Sequence, residues 1–241
     1  MKFLPCLSAW LLAAMAASGA ARENIVFVEA HPDDLPGHMG TALLLAQKFN
    51  VHVVDFTHGE RGLGEAGYRD GTTAKLRTAE ETAVCGEAGF TLHWLDEIDG
   101  DSFASRETCN KLAELLKTLK PRAVFCHWPV DTHPDHVMSA ATAMKAVGLA
   151  RISPEIYFHE QDRQSRSFTP AYYVEIAPVA ARKAELVAKY VCQQGAAIAK
   201  RKDESNIVYG RNSGLNKAEV FQYFRGSVKP GHGVLDTLTT R

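Results

Sequence analysis

Two short segments of the sequence combine histidine and aspartate side chains within a few residues of each other. Residues 31–34 read HPDD, and residues 131–136 read DTHPDH. Proteins bind catalytic zinc with imidazole and carboxylate groups, and three protein ligands leave a fourth position for water. Such a site also needs a base for the water and a donor for the negative charge that develops on the substrate. The two segments together contain enough groups for all of these roles.

An alternating strand and helix pattern surrounds these segments. Near-continuous apolar runs are typical of strands whose two faces are both covered, and a helical pattern follows each run. The predicted strands are residues 25–28, 51–56, 91–95, 123–127, 155–159 and 172–176, and the predicted helices are residues 41–49, 73–86, 106–119, 135–147 and 179–193. This order predicts an α/β fold: a Rossmann-like doubly wound, mostly parallel sheet with helices on both faces.

The two polar segments lie where such a sheet binds ligands, in the crevice beyond the carboxyl ends of its strands. One follows the first predicted strand and the other follows the fourth, so we expect them to converge. Each segment alone is explained as well by a turn and a helix N-cap, with Asp34 or Asp135 accepting backbone N–H groups. Their joint presence favours a metal site. No G-x-G-x-x-G follows the first strand, so a dinucleotide site is not predicted.

With these segments, the sequence resembles the PIG-L/LmbE-like zinc-dependent N-acetylglucosaminyl deacetylases. The resemblance extends to residues 57–62, to Arg77 with Glu80, and to Gly214 followed by residues 218–221. It implies a Rossmann-like fold, a zinc cofactor and hydrolysis of the N-acetyl group of an amino sugar.

The resemblance also implies roles for single residues. The zinc ligands would be His31, Asp34 and His136. Asp135 would then orient His133 or His136, since ligating histidines are usually held by a second polar group.

Other residues would act on the water and the substrate. Asp33 matches the general base, and His133 matches the group that stabilises the oxyanion or protonates the leaving amine. Arg77 matches a position that contacts the sugar. From their places in loops beside the crevice, Arg69 and Glu60 are further candidates for substrate contact.

The sequence departs from the family pattern directly after Asp34. The family usually has a glutamate there or one position later, whereas this chain has Leu35 and Pro36. The zinc ligands are kept, but a carboxylate that supports them is lost. His38 could compensate, although a histidine at the surface or at the start of a helix is the simpler interpretation.

The first 21 residues predict a cleavable signal peptide, because Lys2 precedes the apolar residues 7–17 and the small residues 18–21. Residues 22–241 would form one secreted or periplasmic deacetylase domain with no stable membrane insertion. In that compartment, disulfides among the remaining cysteines are possible, but no pairing is predicted. The cysteines concerned are Cys85, Cys109, Cys126 and Cys192.

We therefore expect a zinc-dependent deacetylase whose partner is an N-acetylated sugar or glycan outside the cytoplasm. The net charge of -1 and the lack of a basic stripe argue against nucleic acid. Two alternatives stay open: a non-catalytic glycan-binding protein, and a non-heme Fe(II) enzyme that uses the same two-His-one-carboxylate triad. An adjacent base such as Asp33 favours the hydrolase.

Overall fold

The computed structural model describes residues 21–162, 164–225 and 231–240. The predicted signal peptide therefore lies outside the described residues, except for its last position. The strands are β1 (Asn24–Glu29), β2 (Asn50–Thr57), β3 (Thr91–Glu97), β4 (Ala123–His127), β5 (Glu155–His159), β6 (Tyr172–Glu175) and β7 (Ala218–Arg225). The α-helices are α1 (Met39–Ala46), α2 (Glu65–Arg69), α3 (Thr72–Ala88), α4 (Arg106–Leu119), α5 (Pro134–Ala150), α6 (Ala180–Val187) and α7 (Gly195–Ser213).

All of these strands form one sheet in the order β3-β2-β1-β4-β5-β7-β6. Strands β1 to β5 are parallel, and β7 runs antiparallel to both β5 and β6. The predicted mostly parallel α/β sheet is thus confirmed. The strand order reverses between β1 and β4, so the loops after these two strands open at the same crevice.

Helices cover both faces of the sheet, which explains the unbroken apolar runs. In β1, Ile25 and Phe27 belong to the core cluster on one face. Val26 and Val28 belong to the cluster on the other face. All four side chains are fully buried, as expected for a central strand of a doubly wound sheet.

The carboxyl-terminal elements differ from the sequence prediction. The helix predicted over residues 179–193 ends at Val187 and is followed by a separate short 3₁₀ turn, Val191–Gln193. Gly195 then packs its Cα against the carbonyl of Val187, where a Cβ would overlap, so α7 starts close to the end of α6.

Helix α7 was not predicted, because its buried stripe is not apolar. The buried positions from Ile198 onward recur every four residues and include Lys202 and Asn206. Lys202 donates to Gln161 Oε1 over 3.1 Å, and Asn206 Nδ2 donates to the Ala218 carbonyl over 2.9 Å. These polar side chains are buried because the surrounding fold supplies partners for them.

Strand β7 also completes the start of α1. The carboxylate of Glu219 accepts hydrogen bonds from the backbone N–H of Gly40 over 2.9 Å and of Thr41 over 2.7 Å. Lys183 Nζ donates to the same carboxylate over 2.7 Å. A helix N-terminus has free N–H groups and a positive dipole end, and a buried carboxylate satisfies both.

Two further findings concern the membrane and the thiols. Among the described helices, none combines the length and the apolar character needed to span a bilayer. The four cysteines in this part of the chain are free thiols, and three of them are buried.

Candidate metal centre

The loops after β1 and β4 meet at the carboxyl edge of the sheet. His31 lies two residues after the end of β1, and its ring centroid lies 4.6 Å from that of His133 and 5.5 Å from that of His136. Both of these histidines stand at the start of α5. The convergence expected from the strand order is therefore present.

The donor atoms of these loops fall into two overlapping groups. One consists of His31, His133 and His136, and the other of Asp34, His127 and His136, with the donor atoms of each group within 4.8 Å of one another. Asp34 Oδ2 connects them, because it lies 3.2 Å from His31 Nδ1 and 3.5 Å from His136 Nε2. Imidazole and carboxylate donors at this spacing fit a bound zinc ion. The predicted ligands His31, Asp34 and His136 are thus brought together, and His127 Nε2 lies 3.4 Å from Asp34 Oδ2 on their buried side.

The electrostatics of these residues are those of closely paired ions. Burial alone would raise the pKa of Asp34, but His136 and His127 hold it well below its usual value. Burial alone would lower the pKa of His136, but Asp34 and Asp131 raise it to about 9. The acidic partners of His31 likewise overcome burial and raise the pKa of that ring well above its usual value. A carboxylate that stays ionised is ready to bind a cation.

The partner predicted for Asp135 was wrong. Its Oδ2 lies 3.0 Å from His31 Nε2, so it orients His31 rather than His133 or His136. Ser102 Oγ donates to the other carboxylate oxygen over 2.6 Å, and the Gly100 N–H donates to Oδ2 over 2.7 Å. The sequence places Asp135 next to His136, but on a helix neighbouring residues do not face each other.

Two acidic residues that sequence reasoning missed complete the support of the histidines. Asp131 Oδ1 lies 3.1 Å from His136 Nδ1, and Asp99 Oδ1 lies 3.3 Å from His31 Nε2. Asp131 begins the DTHPDH segment, which was the available signal for it. Asp99 follows β3, a strand whose loop carried no motif.

Asp33 lies beside the donor groups and is held by Arg77. The Nη2 atom of Arg77 donates to Asp33 Oδ1 and to the Pro32 carbonyl. Asp33 has a φ of 92°, in a region that residues other than glycine rarely adopt. Burial, opposed by Arg77 and reinforced by Asp34, raises the pKa of Asp33 to about 6.

His133 is both the N-cap of α5 and a cleft residue. Its Nδ1 accepts a hydrogen bond from the backbone N–H of Asp135 over 3.3 Å, so the neutral ring carries its proton on Nε2. Burial and the neighbouring His31 lower the pKa of His133. The ring is therefore a neutral donor that lines the site.

A polar cleft of about 360 Å³ opens above the donor groups, which is within the size range of small-ligand sites. The predicted residues that line it are His31, Asp33, Asp34, Arg77, His133 and His136. Arg61 and Gln193 also line it and were not predicted.

The remaining two candidates for substrate contact do not line this cleft. Arg69 is exposed and pairs with Glu65 over 2.7 Å, four residues away on α2. Glu60 Oε2 accepts the backbone N–H of Asp99 over 3.0 Å, so it positions the loop that carries Asp99.

Leu35 and Pro36, where the sequence departs from the family pattern, are both buried. These two residues begin a buried 3₁₀ turn, Leu35–Gly37. His38 follows at the N-cap of α1, as expected, but it is buried, with Nε2 2.7 Å from Glu29 Oε1. Glu29 is the last residue of β1, and burial raises its pKa to about 8. No sequence motif marks this carboxylate, which lies 3.5 Å from His127 Nε2.

Known proteins share this fold and parts of the sequence. A 1D-myo-inositol 2-acetamido-2-deoxy-alpha-D-glucopyranoside deacetylase of Thermobispora bispora is 28% identical over 160 residues, or 54% of this chain and 53% of that protein. The 4-oxalmesaconate hydratase of Pseudomonas putida is 29% identical over 133 residues, or 52% of each chain. The chain thus spans about half the length of the curated relatives it matches.

A solved structure extends the similarity to most of the chain. The N,N'-diacetylchitobiose deacetylase of Pyrococcus horikoshii has a TM-score of 0.72 over 87% of both chains, at 22% identity. The PIG-L family model, described as GlcNAc-PI de-N-acetylase, matches residues 26–147. That range contains both polar segments, most of β1 and all of β4, and covers half of the chain. The chain therefore belongs to the PIG-L family.

Proposed function

We propose that this protein is a zinc-dependent deacetylase that hydrolyses the N-acetyl group of an N-acetylglucosamine-type sugar. One observation carries the proposal: Asp33, fixed by Arg77, lies beside the imidazole and carboxylate groups at the base of an open polar cleft. A base next to a metal-binding group suits hydrolysis. The deacetylases among the similar proteins support the same reaction.

Zinc would be held by His31, Asp34 and His136, and when bound it would polarise a carbonyl group and acidify a water molecule. Asp33 takes the proton of the attacking water. Its pKa of about 6 leaves it ionised at neutral pH, yet close enough to that pH to accept and return a proton. Arg77 keeps this carboxylate turned towards the cleft.

His133 serves the other side of the reaction. As water adds, the carbonyl oxygen of the acetamide gains negative charge, and the Nε2 proton of His133 stabilises it. The C–N bond then breaks, the nitrogen takes a proton, and acetate and a free amine leave. Asp33 is the source of that proton, because it received one from the water.

The cleft and the predicted export signal limit the range of expected substrates. The cleft is open and lined with polar side chains, as suits a sugar rather than an apolar acyl chain. The predicted signal peptide supports a substrate outside the cytoplasm, such as a chito-oligosaccharide or a cell-wall sugar.

The proposal is tested by measuring acetate release, with and without a chelator, from a panel of N-acetylated sugars that extends from monosaccharide to polymer. We expect release that stops on chelation and returns with zinc. Asp33→Ala should abolish release while metal content stays unchanged. Wild-type turnover in Asp33→Ala would disprove the assignment of the base.

Two further outcomes would identify the alternatives. Binding of N-acetylglucosamine at full zinc occupancy without acetate release would identify a glycan-binding protein. Bound iron after aerobic purification, with no acetate release, would favour the Fe(II) enzyme.

A second candidate function is the addition of water to a carbon–carbon double bond of an unsaturated carboxylate. The similarity to the 4-oxalmesaconate hydratase favours it, because that protein is 29% identical to the matched part of this chain and the deacetylase is 28% identical. Arg61 lines the cleft, and its guanidinium, which pairs with Asp101 over 3.2 Å, could exchange this partner for a substrate carboxylate. Loss of the ultraviolet absorbance of an unsaturated dicarboxylate, without any acetate release from sugars, would decide for this reaction.

A further inference from the structure

A second cluster of donor groups lies beneath the metal centre, at the ends of three neighbouring strands. Glu29 ends β1, His127 ends β4 and His159 ends β5. His127 is paired in register with His159, and Val28 is paired with Cys126, so the three side chains occupy matching positions. Matching positions of parallel strands face the same side of a sheet.

The donor atoms of this cluster surround a common point. Glu29 Oε2 lies 3.5 Å from His127 Nε2 and 3.5 Å from His159 Nε2. The other oxygen of the carboxylate, Oε1, is held by His38 Nε2 at 2.7 Å. One oxygen of Glu29 is therefore fixed by a histidine, and the other is directed between two more.

Two of the three donor atoms that face this point, Glu29 Oε2 and His159 Nε2, have no hydrogen-bond partner among the described residues. Glu29 Oε2 and both ring nitrogens of His159 form no hydrogen bond with the described residues, although these side chains are at most 1% exposed. Buried polar groups are rarely left in this state, because their lost hydration is not replaced. An occupant that accepts lone pairs from oxygen and nitrogen would resolve it.

His127 is in the protonation state that such an occupant needs. Its Nε2 accepts a hydrogen bond from the backbone N–H of Ala30 over 3.1 Å, so this nitrogen carries a lone pair and not a proton. A bound cation would replace Ala30 N–H as the partner of that lone pair.

We propose that Glu29, His127 and His159 form a second, buried site for a divalent transition metal such as zinc. Two histidines and one glutamate are a donor set that zinc uses in proteins. With ligand bonds of about 2.1 Å, tetrahedral donor atoms lie about 3.4 Å apart. The two 3.5 Å separations at Glu29 Oε2 match this spacing. His38 would hold the ligating carboxylate from outside.

The surrounding charges permit a cation. The ammonium groups that act on His38 are those of Lys183 and Lys202. Each is already neutralised, Lys183 by Glu219 at 2.7 Å and Lys202 by Asp162 at 3.2 Å.

Asp34 places the two sites side by side. Its Oδ2 lies 3.4 Å from His127 Nε2 in the buried cluster. The same atom lies 3.5 Å from His136 Nε2 in the outer site, which is the zinc site proposed above on His31, Asp34 and His136. Neighbouring metals that share a carboxylate are a recurring arrangement in hydrolases. The buried site nevertheless stands on its own donors and does not depend on the deacetylase assignment.

Metal content per chain tests the proposal directly. The full protein is loaded with zinc, freed of unbound metal by gel filtration and measured by mass spectrometry of the metal. We expect two zinc ions per chain in the wild type and one in His159→Gln. His93→Gln is the matched control, because it removes a histidine that pairs with His52 over 3.0 Å near the amino-terminal ends of β2 and β3. It should keep two.

A wild-type chain that binds one zinc ion, or a His159→Gln chain that still binds two, would overturn the buried site. If His159→Gln does not fold, anomalous diffraction at the zinc edge from wild-type crystals gives the answer. A peak between Glu29, His127 and His159 supports the site, and its absence at full occupancy of the outer site refutes it. These readouts require no catalytic activity, so they separate this proposal from the proposed function.

Discussion

The guanidinium of Arg77, in α3, holds both the side chain of Asp33 and the backbone carbonyl that precedes it. Asp33 has a φ of 92°, which costs free energy in a residue with a Cβ. Strained backbone persists where surrounding contacts fix it, and such positions concentrate at active sites. The base proposed for hydrolysis is thus positioned by a contact from a different element, and this contact can be changed without touching a metal ligand.

Arg77→Lys should lower turnover with no loss of bound metal. A lysine ammonium cannot reproduce the forked donation of a guanidinium, so Asp33 loses its fixed position. A misplacement of a catalytic group by about 1 Å can reduce the rate by about 100-fold. Acetate release and metal content measure the two effects. The control is Arg182→Lys, at an exposed position on α6, which should release acetate at the wild-type rate. If Arg77→Lys also kept the wild-type rate, Arg77 would not be needed to position Asp33.

Gly62→Ala should disturb the same contact from the other side. A Cβ at Gly62 would overlap the guanidinium of Arg77 and lie 2.9 Å from Gln193 Nε2. We expect reduced turnover with a small change in stability. Gly86→Ala is the control, since nothing lies within 4 Å of its Cβ position in α3. Alanine has the higher helix propensity, so that variant should gain up to about 1 kcal/mol in the free energy of unfolding and should melt at a higher temperature. Its turnover should be normal.

Asp131→Asn should weaken metal binding at the outer site. Its Oδ1 lies 3.1 Å from His136 Nδ1, and an amide cannot hold that ring with a negative charge. Loss of such a supporting group typically reduces metal affinity by about 10- to 100-fold. Competition with a coloured chelator measures the change. Asp203→Asn, whose carboxylate pairs with Lys217, should bind metal normally. Unchanged affinity in Asp131→Asn would show that His136 needs no such partner.

Glu175→Gln should lower the stability of the protein at neutral pH and have a smaller effect at acidic pH. Burial alone would raise the pKa of Glu175, but the backbone N–H groups of Asn216, Lys217 and Ala177 lower it. The folded protein therefore holds this carboxylate ionised where the unfolded chain binds a proton. Its stabilisation is present above the ordinary value of 4.5 and is lost as pH falls through the lowered value.

We expect this variant to be about 1 kcal/mol less stable at pH 7 in urea unfolding. The difference should shrink as the pH falls below the ordinary pKa of 4.5. Glu185→Gln, which removes an exposed partner of Arg182, should show little difference at either pH. A Glu175→Gln deficit that is the same at both pH values would exclude the carboxylate charge as its cause.

The sequence predicted well what periodicity and strand order determine. Strands β4 and β5 and helix α4 have the predicted bounds, because apolar runs and the Ser105 N-cap mark them. The meeting of the two polar loops followed from the rule for strand order alone. Helix α7 was not predicted, because Lys202 and Asn206 interrupt the apolar stripe on its buried face. The partners of these two side chains exist only in the folded chain.

The directions in which side chains point could not be predicted from the sequence. Asp135 turns to His31 instead of His133 or His136, since its direction is set by helix α5 and by the distant Ser102. The same limit applies to His38. Its burial depends on Glu29, nine residues earlier, at the end of β1. Such pairings depend on the packing of several elements at once, which no local pattern contains.

The position of β7 constrains how the chain can fold during its synthesis. A ribosome finishes β6 at Glu175 and must continue to Ala218 before the strand that joins β6 to β5 begins. Until then β5 exposes an unpaired edge, and such edges invite association with other chains. The start of α1 waits as well, because Glu219 supplies its cap. The earliest helix is therefore completed by the latest strand, and a nascent chain released before β7 would aggregate rather than persist as a smaller folded protein.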